Sequence, residues 1–356
     1  MNPMEWPKAR GARSNPKPRF DRLDREAFDD GWATDEDPPA APGTTIHIDK
    51  AKSIITRNTS PDVPFDRSIN PYRGCAHGCV YCFARPSHAY LDLSPGLDFE
   101  TQLFVKPDAP LLLDKELRKS GYKPAPLAIG TNTDPYQPIE REHLIMRGCL
   151  EVLAAFNHPV TITTKSFLVT RDIDILAPMA ERGLVAVAVS LTTLDRDLHR
   201  KLEPRAATSA KRLEAIHLLA EAGIPTAVLA APMIPRINDH ELEAILAAAK
   251  EAGAQSAACI LLRLPYEVKE LFAEWLQVHF PDRAGHVLSL VTQQHNGKLY
   301  DATFGTRYTG TGPHAELLAQ RFRLAQKKLS LGNIGFPLNV SQFKVPPARG
   351  DQMNLF

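Results

Sequence analysis

"MAERGLVAVAVSLTT", residues 179–193, contains the end of a helix, a turn and an apolar strand in one short stretch. Gly183 closes an amphipathic run at a position where positive φ costs glycine little. The apolar run behind it ends in polar residues that begin at Ser190. The same plan recurs where "LLAEAG" leads into "GIPTAVLAAP" and "AAAKEAG" into "GAQSAACILLRLP", with Gly223 and Gly253 in the place of Gly183. Two earlier runs, "PLAIGTNTD" and "PVTITTKS", are short, apolar or β-branched, and polar at their ends. Asn238, followed at the third residue by Glu241, reads as the start of another helix. Strands alternating with helices at intervals of roughly 30–40 residues imply parallel βαβ units. With a strand near "RSIN" (67–70) the count reaches six units. Six is short of the eight of a closed barrel, so the expected fold is α/β, a partial (β/α)6 barrel, with an open doubly wound sheet as the alternative. In either, polar groups that leave the C-terminal ends of the strands gather on one rim.

At 356 residues and 44% hydrophobic composition the chain can bury a sizeable core, and its formal net charge of +1 gives no global case for a nucleic-acid surface. Residues 1–45 lack a sustained apolar period and read as a disordered N-terminal arm. The expected remainder is a core domain over 46–300, a C-terminal helical extension over 301–345 and a flexible tail over 346–356. No signal segment opens the chain and no apolar run is long enough to span a bilayer, so a cytoplasmic protein is expected.

Three of the five cysteines fall in "NPYRGCAHGCVYCFARPSHAY", residues 70–90. Cys75, Cys79 and Cys82 are spaced C-x3-C-x2-C, and Tyr81 precedes the last. Thiolates this close favour zinc or an iron–sulfur cluster over disulfides. A structural zinc site takes four ligands, and a fourth is hard to find here. Cys149 and Cys259 read as lying inside a helix and a strand, and His77 is awkwardly placed within the loop. Three cysteines would leave one iron of a [4Fe–4S] cluster open to a small molecule. A zinc-binding interaction module stays open as the alternative.

The cysteine spacing with its aromatic resembles the signature of the radical S-adenosylmethionine (SAM) superfamily. "INPYRGCAHGCVYCFAR" together with "TNTDPYQPIERE" is similar to the spore photoproduct lyase-like, DNA-repair photolyase-like group, over roughly residues 45–300. "RYTGTGPHAELLAQRF" is similar to close relatives. The resemblance implies that Cys75, Cys79 and Cys82 hold a [4Fe–4S] cluster whose open iron chelates SAM. A flavodoxin- or ferredoxin-type donor would reduce it and release a 5′-deoxyadenosyl radical. It further implies that Tyr81 lies against the adenine, Lys165 reaches the SAM carboxylate and Ser190 the ribose, while "APMIPRIND" packs on the adenine. The usual Gly-Gly-Glu motif is absent; "GTNTD" stands in its place, where Thr133 matches a small hydroxyl residue and Asp134 offers an acceptor. Tyr136, Glu140 and His143 fall near the rim. The hydrogen-donating cysteine of the lyase has no counterpart in "GYKPAPLAIGTNTD", and Cys149 and Cys259 read as packing residues. DNA is the implied substrate, with a protein, peptide or small metabolite as the alternative. The terminal "QMNLF", Gln352 to Phe356, resembles a peptide that docks on the replication sliding clamp.

Overall fold

The computed structural model describes residues 10–21 and 43–347. Eleven strands follow one another as β1 (Thr45–Ile48), β2 (Ile55–Arg57), β3 (Arg67–Ile69), β4 (Tyr72–Arg73), β5 (Gln102–Val105), β6 (Leu127–Ile129), β7 (Val160–Thr164), β8 (Val185–Ser190), β9 (Thr226–Met233), β10 (Ser256–Leu261) and β11 (Gly332–Asn333). The main sheet has the order β11-β10-β9-β8-β7-β6-β3-β2. All its ladders are parallel except that of β2 with β3. β3 and β6 to β10 are the six strands expected from sequence, and among the described residues no ladder joins the two edges. The fold is therefore a partial barrel. A small second sheet, β1-β5-β4, flanks the cysteine loop.

Strand β8 shows why the barrel stays hollow. Val185, Val187 and Val189 join the core beneath the helices, while Ala186, Ala188 and Ser190 line an interior cavity. Thr161 and Thr163 of β7, Ala128 of β6, Ala227 of β9 and Ala258 of β10 line the same space. Closed barrels fill this volume with bulky branched side chains. Small inward residues here leave room for a ligand.

The three helix-closing glycines adopt the positive φ expected of them, +68° at Gly183, +74° at Gly223 and +107° at Gly253. Each forms the paired bonds of a Schellman motif: the glycine N–H reaches Ala180, Ala220 or Lys250 O, and the next N–H reaches Met179, Leu219 or Ala249 O. Asn238 differs from expectation. A short 3-10 turn and then helix Leu242–Glu251 do follow it, but its side chain caps neither. Its buried amide instead accepts from Ile234 N–H at 2.6 Å and donates to Thr192 O at 2.7 Å and Pro232 O at 2.9 Å. That locks the loop after β9 onto the exit of β8.

Two expected boundaries change. Residues 10–21 are not a loose arm but lie along the domain, where Ala12 is buried and Leu97 N–H donates to Ser14 O at 3.2 Å. Backbone groups and polar side chains carry this contact, so no apolar period announces it. Residues 301–345 are continuous with the core: helix Gly312–Lys328 packs on helix Leu242–Glu251, and β11 extends the sheet. Phe343 packs tilted or edge-on among the rings of Tyr122, Phe156 and His158, and Arg118 bonds Pro346 O at 2.7 Å, so the chain is still docked where a flexible tail was expected. The "QMNLF" peptide lies outside the described residues. Among those described, no helix is long and apolar enough to cross a membrane.

Gly223 faces open space, so an added Cβ meets nothing and only backbone strain is introduced. Gly223→Ala is expected to cost about 1–2 kcal/mol, read as a lower denaturant midpoint at unchanged slope.

Candidate active site

The cysteine loop leaves β3 and β4 with its backbone pinned at many points. Cys75 N–H bonds Phe99 O at 3.0 Å, Val80 N–H bonds Leu202 O at 3.2 Å, and Arg205 N–H bonds His77 O at 3.3 Å. Gln137, wholly buried, accepts from Ala76 N–H at 2.9 Å and donates to Gly74 O at 3.2 Å. Below the loop the buried guanidinium of Arg85 donates to Cys79 O at 2.9 Å and Gly78 O at 3.3 Å, and pairs with the buried carboxylate of Glu100. Glu100 also accepts from Gly11 N–H at 3.0 Å and Ala12 N–H at 2.8 Å. The N-terminal strap thus lies directly on the loop. A Cβ at residue 11 would stand 1.6 Å from Gly78 O, so this approach requires glycine.

The eight residues expected to hold the cluster or SAM, Cys75, Cys79, Tyr81, Cys82, Thr133, Asp134, Lys165 and Ser190, line one cavity of about 510 Å³. It opens at the C-terminal ends of the strands. Lys165, at the exit of β7, donates to Ser190 Oγ at the end of β8 across 2.8 Å. Its Nζ lies 4.0 Å from Glu203 Oε1 and 5.9 Å from the Tyr81 ring centroid. The Tyr81 hydroxyl donates to Glu203 and contacts Thr192 Oγ1 at 3.1 Å. Glu203 is buried and pairs with the buried Arg212. Burial alone would raise its pKa, but Arg212, His199 and Lys165 hold it well below the ordinary carboxylate value. A fixed anion therefore orients both Tyr81 and Lys165.

Asp134 has a different role from the open acceptor expected. Its Oδ1 accepts from Thr164 Oγ1 at 2.7 Å and Tyr136 N–H at 2.9 Å, and its Oδ2 from Lys165 N–H at 2.7 Å with His77 Nδ1 at 3.4 Å. Burial opposes its ionisation, yet these partners, His77 foremost, lower its pKa to about 2. The carboxylate clasps the exits of β6 and β7 to the cysteine loop. Thr133 donates to Tyr72 O at 3.1 Å and lines the cavity. Glu140 and Tyr136 are buried rather than on the rim. Glu140 accepts from Tyr72, Arg171 and Met146 N–H, a structural task. Cys149 and Cys259 pack in the main core and do not line the cavity, as their sequence positions suggest.

The donor set fits an iron–sulfur cluster. Cys75, Cys79 and Cys82 are free thiols on one wall of the cavity. Burial, then Glu203, raises the Cys79 thiol well above its usual value, and burial, then Cys75, raises Cys82. Thiols so placed become thiolates only beside added positive charge, which coordinated iron provides. Among the described residues no three His, Cys, Asp or Glu side chains converge on a single ion. Ligands that each take a different iron of a cluster need no such convergence.

The family profile described as the Radical SAM superfamily matches residues 69–249. An uncharacterized protein of Mycobacterium tuberculosis is 38% identical over 247 residues, covering 68% of this chain and 73% of the relative. One of Methanocaldococcus jannaschii is 28% identical over 193 residues, covering 54% and 69%. The chain belongs to the radical SAM superfamily, whose cofactors are a [4Fe–4S] cluster and SAM. Among solved structures, spore photoproduct lyase complexed with dinucleoside spore photoproduct shares the fold, with TM-score 0.57, 15% identity and coverage of 80% of this chain and 79% of that one.

Sequence reasoning missed Arg85, Glu100, Gln137, Glu203 and Arg212, which build the walls behind the site. Glu100→Leu would strand a buried guanidinium, and losing one partner of such a pair costs about 3–5 kcal/mol. Chemical denaturation of the variant should show a loss of that size. A loss below about 1 kcal/mol would mean that the pair behaves as if solvent-exposed.

Proposed function

We propose that this protein is a radical SAM enzyme in which Cys75, Cys79 and Cys82 hold the cluster, and Tyr81, Thr133, Lys165 and Ser190 hold SAM, with nucleic acid as its substrate. The observation that carries the reading is the single cavity on which the three thiols and the Lys165–Ser190 pair meet. When bound, the cluster and SAM supply, with an electron from a flavodoxin- or ferredoxin-type donor, a 5′-deoxyadenosyl radical able to abstract hydrogen.

The chain's own residues orient and shield. The Lys165 ammonium is held by Ser190 on one side and the Glu203 anion on the other, which aims its remaining N–H groups at a carboxylate in the cavity. Glu203 and Thr192 anchor the Tyr81 hydroxyl, so the ring keeps a fixed face for a flat adenine. Asp134 acts as a positioning residue, since it holds Lys165 by the backbone N–H. Small inner side chains such as Ala128, Ala186, Ala188, Ala227 and Ala258 give the substrate room. Nucleic acid as substrate is supported by the shared fold with spore photoproduct lyase, solved with a dinucleoside photoproduct. Beyond the three candidate ligands, the described cavity wall carries no cysteine. The phenol of Tyr308 is therefore the candidate hydrogen donor in place of the lyase-type thiol.

Anaerobically purified protein should contain iron and sulfide and convert SAM to methionine and 5′-deoxyadenosine on reduction. Cys75→Ala, Cys79→Ala or Cys82→Ala should each lose the cluster absorbance and this conversion together. Full zinc loading without sulfide would sink the proposal. Lys165→Ala should keep the cluster but weaken SAM binding by about 1.5–3 kcal/mol, or roughly one to two decades. Isothermal titration of SAM measures it, and an unchanged affinity would remove Lys165 from the site.

A further inference from the structure

We infer that Arg263 is a phosphate-binding residue for the nucleic-acid substrate, at the mouth of the same cavity; this rests on the nucleic-acid reading above. Arg263 follows β10 between Leu262 and Leu264, both buried, and is itself on the cavity wall. Its guanidinium carbon lies 4.6 Å from the ring centroid of Tyr308, 5.1 Å from Phe83 and 5.9 Å from Tyr300. Phe83 directly follows Cys82, so an anion held here would stand beside the cysteine loop.

What marks this arginine is a buried, unsatisfied donor on the cavity wall. Arg85, Arg147, Arg171, Arg212 and Arg307 each pair with a carboxylate. Among the described residues Arg263 has no carboxylate partner; its hydrogen bond there goes to Tyr300 Oη at 3.3 Å, and its Nε is buried without an acceptor. A buried donor without a partner is costly, and five N–H groups in a planar fork match a phosphate or carboxylate. The flanking rings favour phosphate on a nucleotide. Phe83 remains 47% exposed and Tyr308 lines the cavity, so flat faces for bases stand beside a cation for the backbone.

The subsite is rigidly built. Leu261 N–H bonds Tyr308 O at 2.9 Å, and Arg307 next to it pairs with Asp62 at 2.6 Å across the cavity mouth. Burial acts to raise the Asp62 pKa, but hydrogen bonds from Ser60, Arg307 and Gly305 lower it to about 2, so this pin persists throughout the neutral range. It fixes the Tyr308 ring against Arg263 before any substrate arrives.

The test uses the full-length holoprotein and a fluorescent single-stranded DNA oligonucleotide, with affinity measured by anisotropy across a salt series. Arg263→Gln should weaken binding roughly tenfold. It should also make the slope of log affinity against log salt shallower by about 0.7, the share of one phosphate contact on a single strand. A set of strands, each with one phosphate replaced by a neutral methylphosphonate, should contain a position that weakens the wild type but not Arg263→Gln. Arg263→Lys keeps the charge without the fork. It should hold the salt slope while losing affinity several-fold, and it carries the test if the Gln variant fails to fold by iron content and cluster absorbance. Equal affinity and slope in wild type and variants would overturn the role of Arg263 and leave the nucleic-acid reading standing. Failure of the wild type to bind any DNA would overturn that reading and the inference with it.

Discussion

The ion pair of Arg85 with Glu100 is wholly cut off from water, and much of the site's architecture follows from that constraint. A buried charge must spend every hydrogen-bonding group on a protein partner, because none can be left to solvent. The remaining guanidinium N–H groups therefore take the carbonyls of Gly78, Cys79, Pro95 and Gly96, which fixes the path of the cysteine loop. The remaining lone pairs of Glu100 take two N–H groups from the strap. A second buried pair, Glu203 with Arg212, does the same on the far side of the cavity for Tyr81 and Lys165. The reactive wall is held between two desolvated salt bridges. Neither touches the reaction volume as a free charge.

Between these fixed points the sheet supplies emptiness. Alternate residues along β8 point to opposite faces, so one strand can be Val-rich toward the helices and Ala-rich toward the lumen. Core stability and ligand space then come from different faces of the same segment. The edges need not close, because residues 301–345 cover what two further βα units would have covered. Tyr308 and residues 334–336 lie at the cavity mouth in that role.

The barrel was legible because its signals are local. A helix-ending glycine, a short apolar run and a polar exit recur within a few residues, and position at a strand exit was enough to bring Lys165 and Ser190 into contact. The alternation "VAVAVS" also carried the hollow interior, although only its apolarity was used. Glu203, Arg212, Gln137 and Glu100 were illegible for the opposite reason. Glu203 reaches Tyr81, Gln137 reaches Ala76 and Glu100 reaches Gly11 across long stretches of chain, and nothing near Glu203 distinguishes it from a solvated glutamate. Asn238 and Asp134 lie between these cases. Each looked like a local device, and in each the tertiary bonds to β8 or β7 decided the role. The strap was misread because "RGARSN" has the composition of a disordered tail, while its docking uses backbone and glycine contacts that composition does not register.

The strap also sets an order of events in time. Ser14 bonds Glu274 across 260 residues of chain, and Gly11 bonds Glu100 across 89. Contacts that span such separations form after the elements they join, because the intervening chain must first be organised. The first part of the domain to leave the ribosome is thus among the last to dock. Until helix Val268–His279 is in place, Ser14 has no Glu274 to bond, and the strap can hold to the cysteine loop only through Glu100.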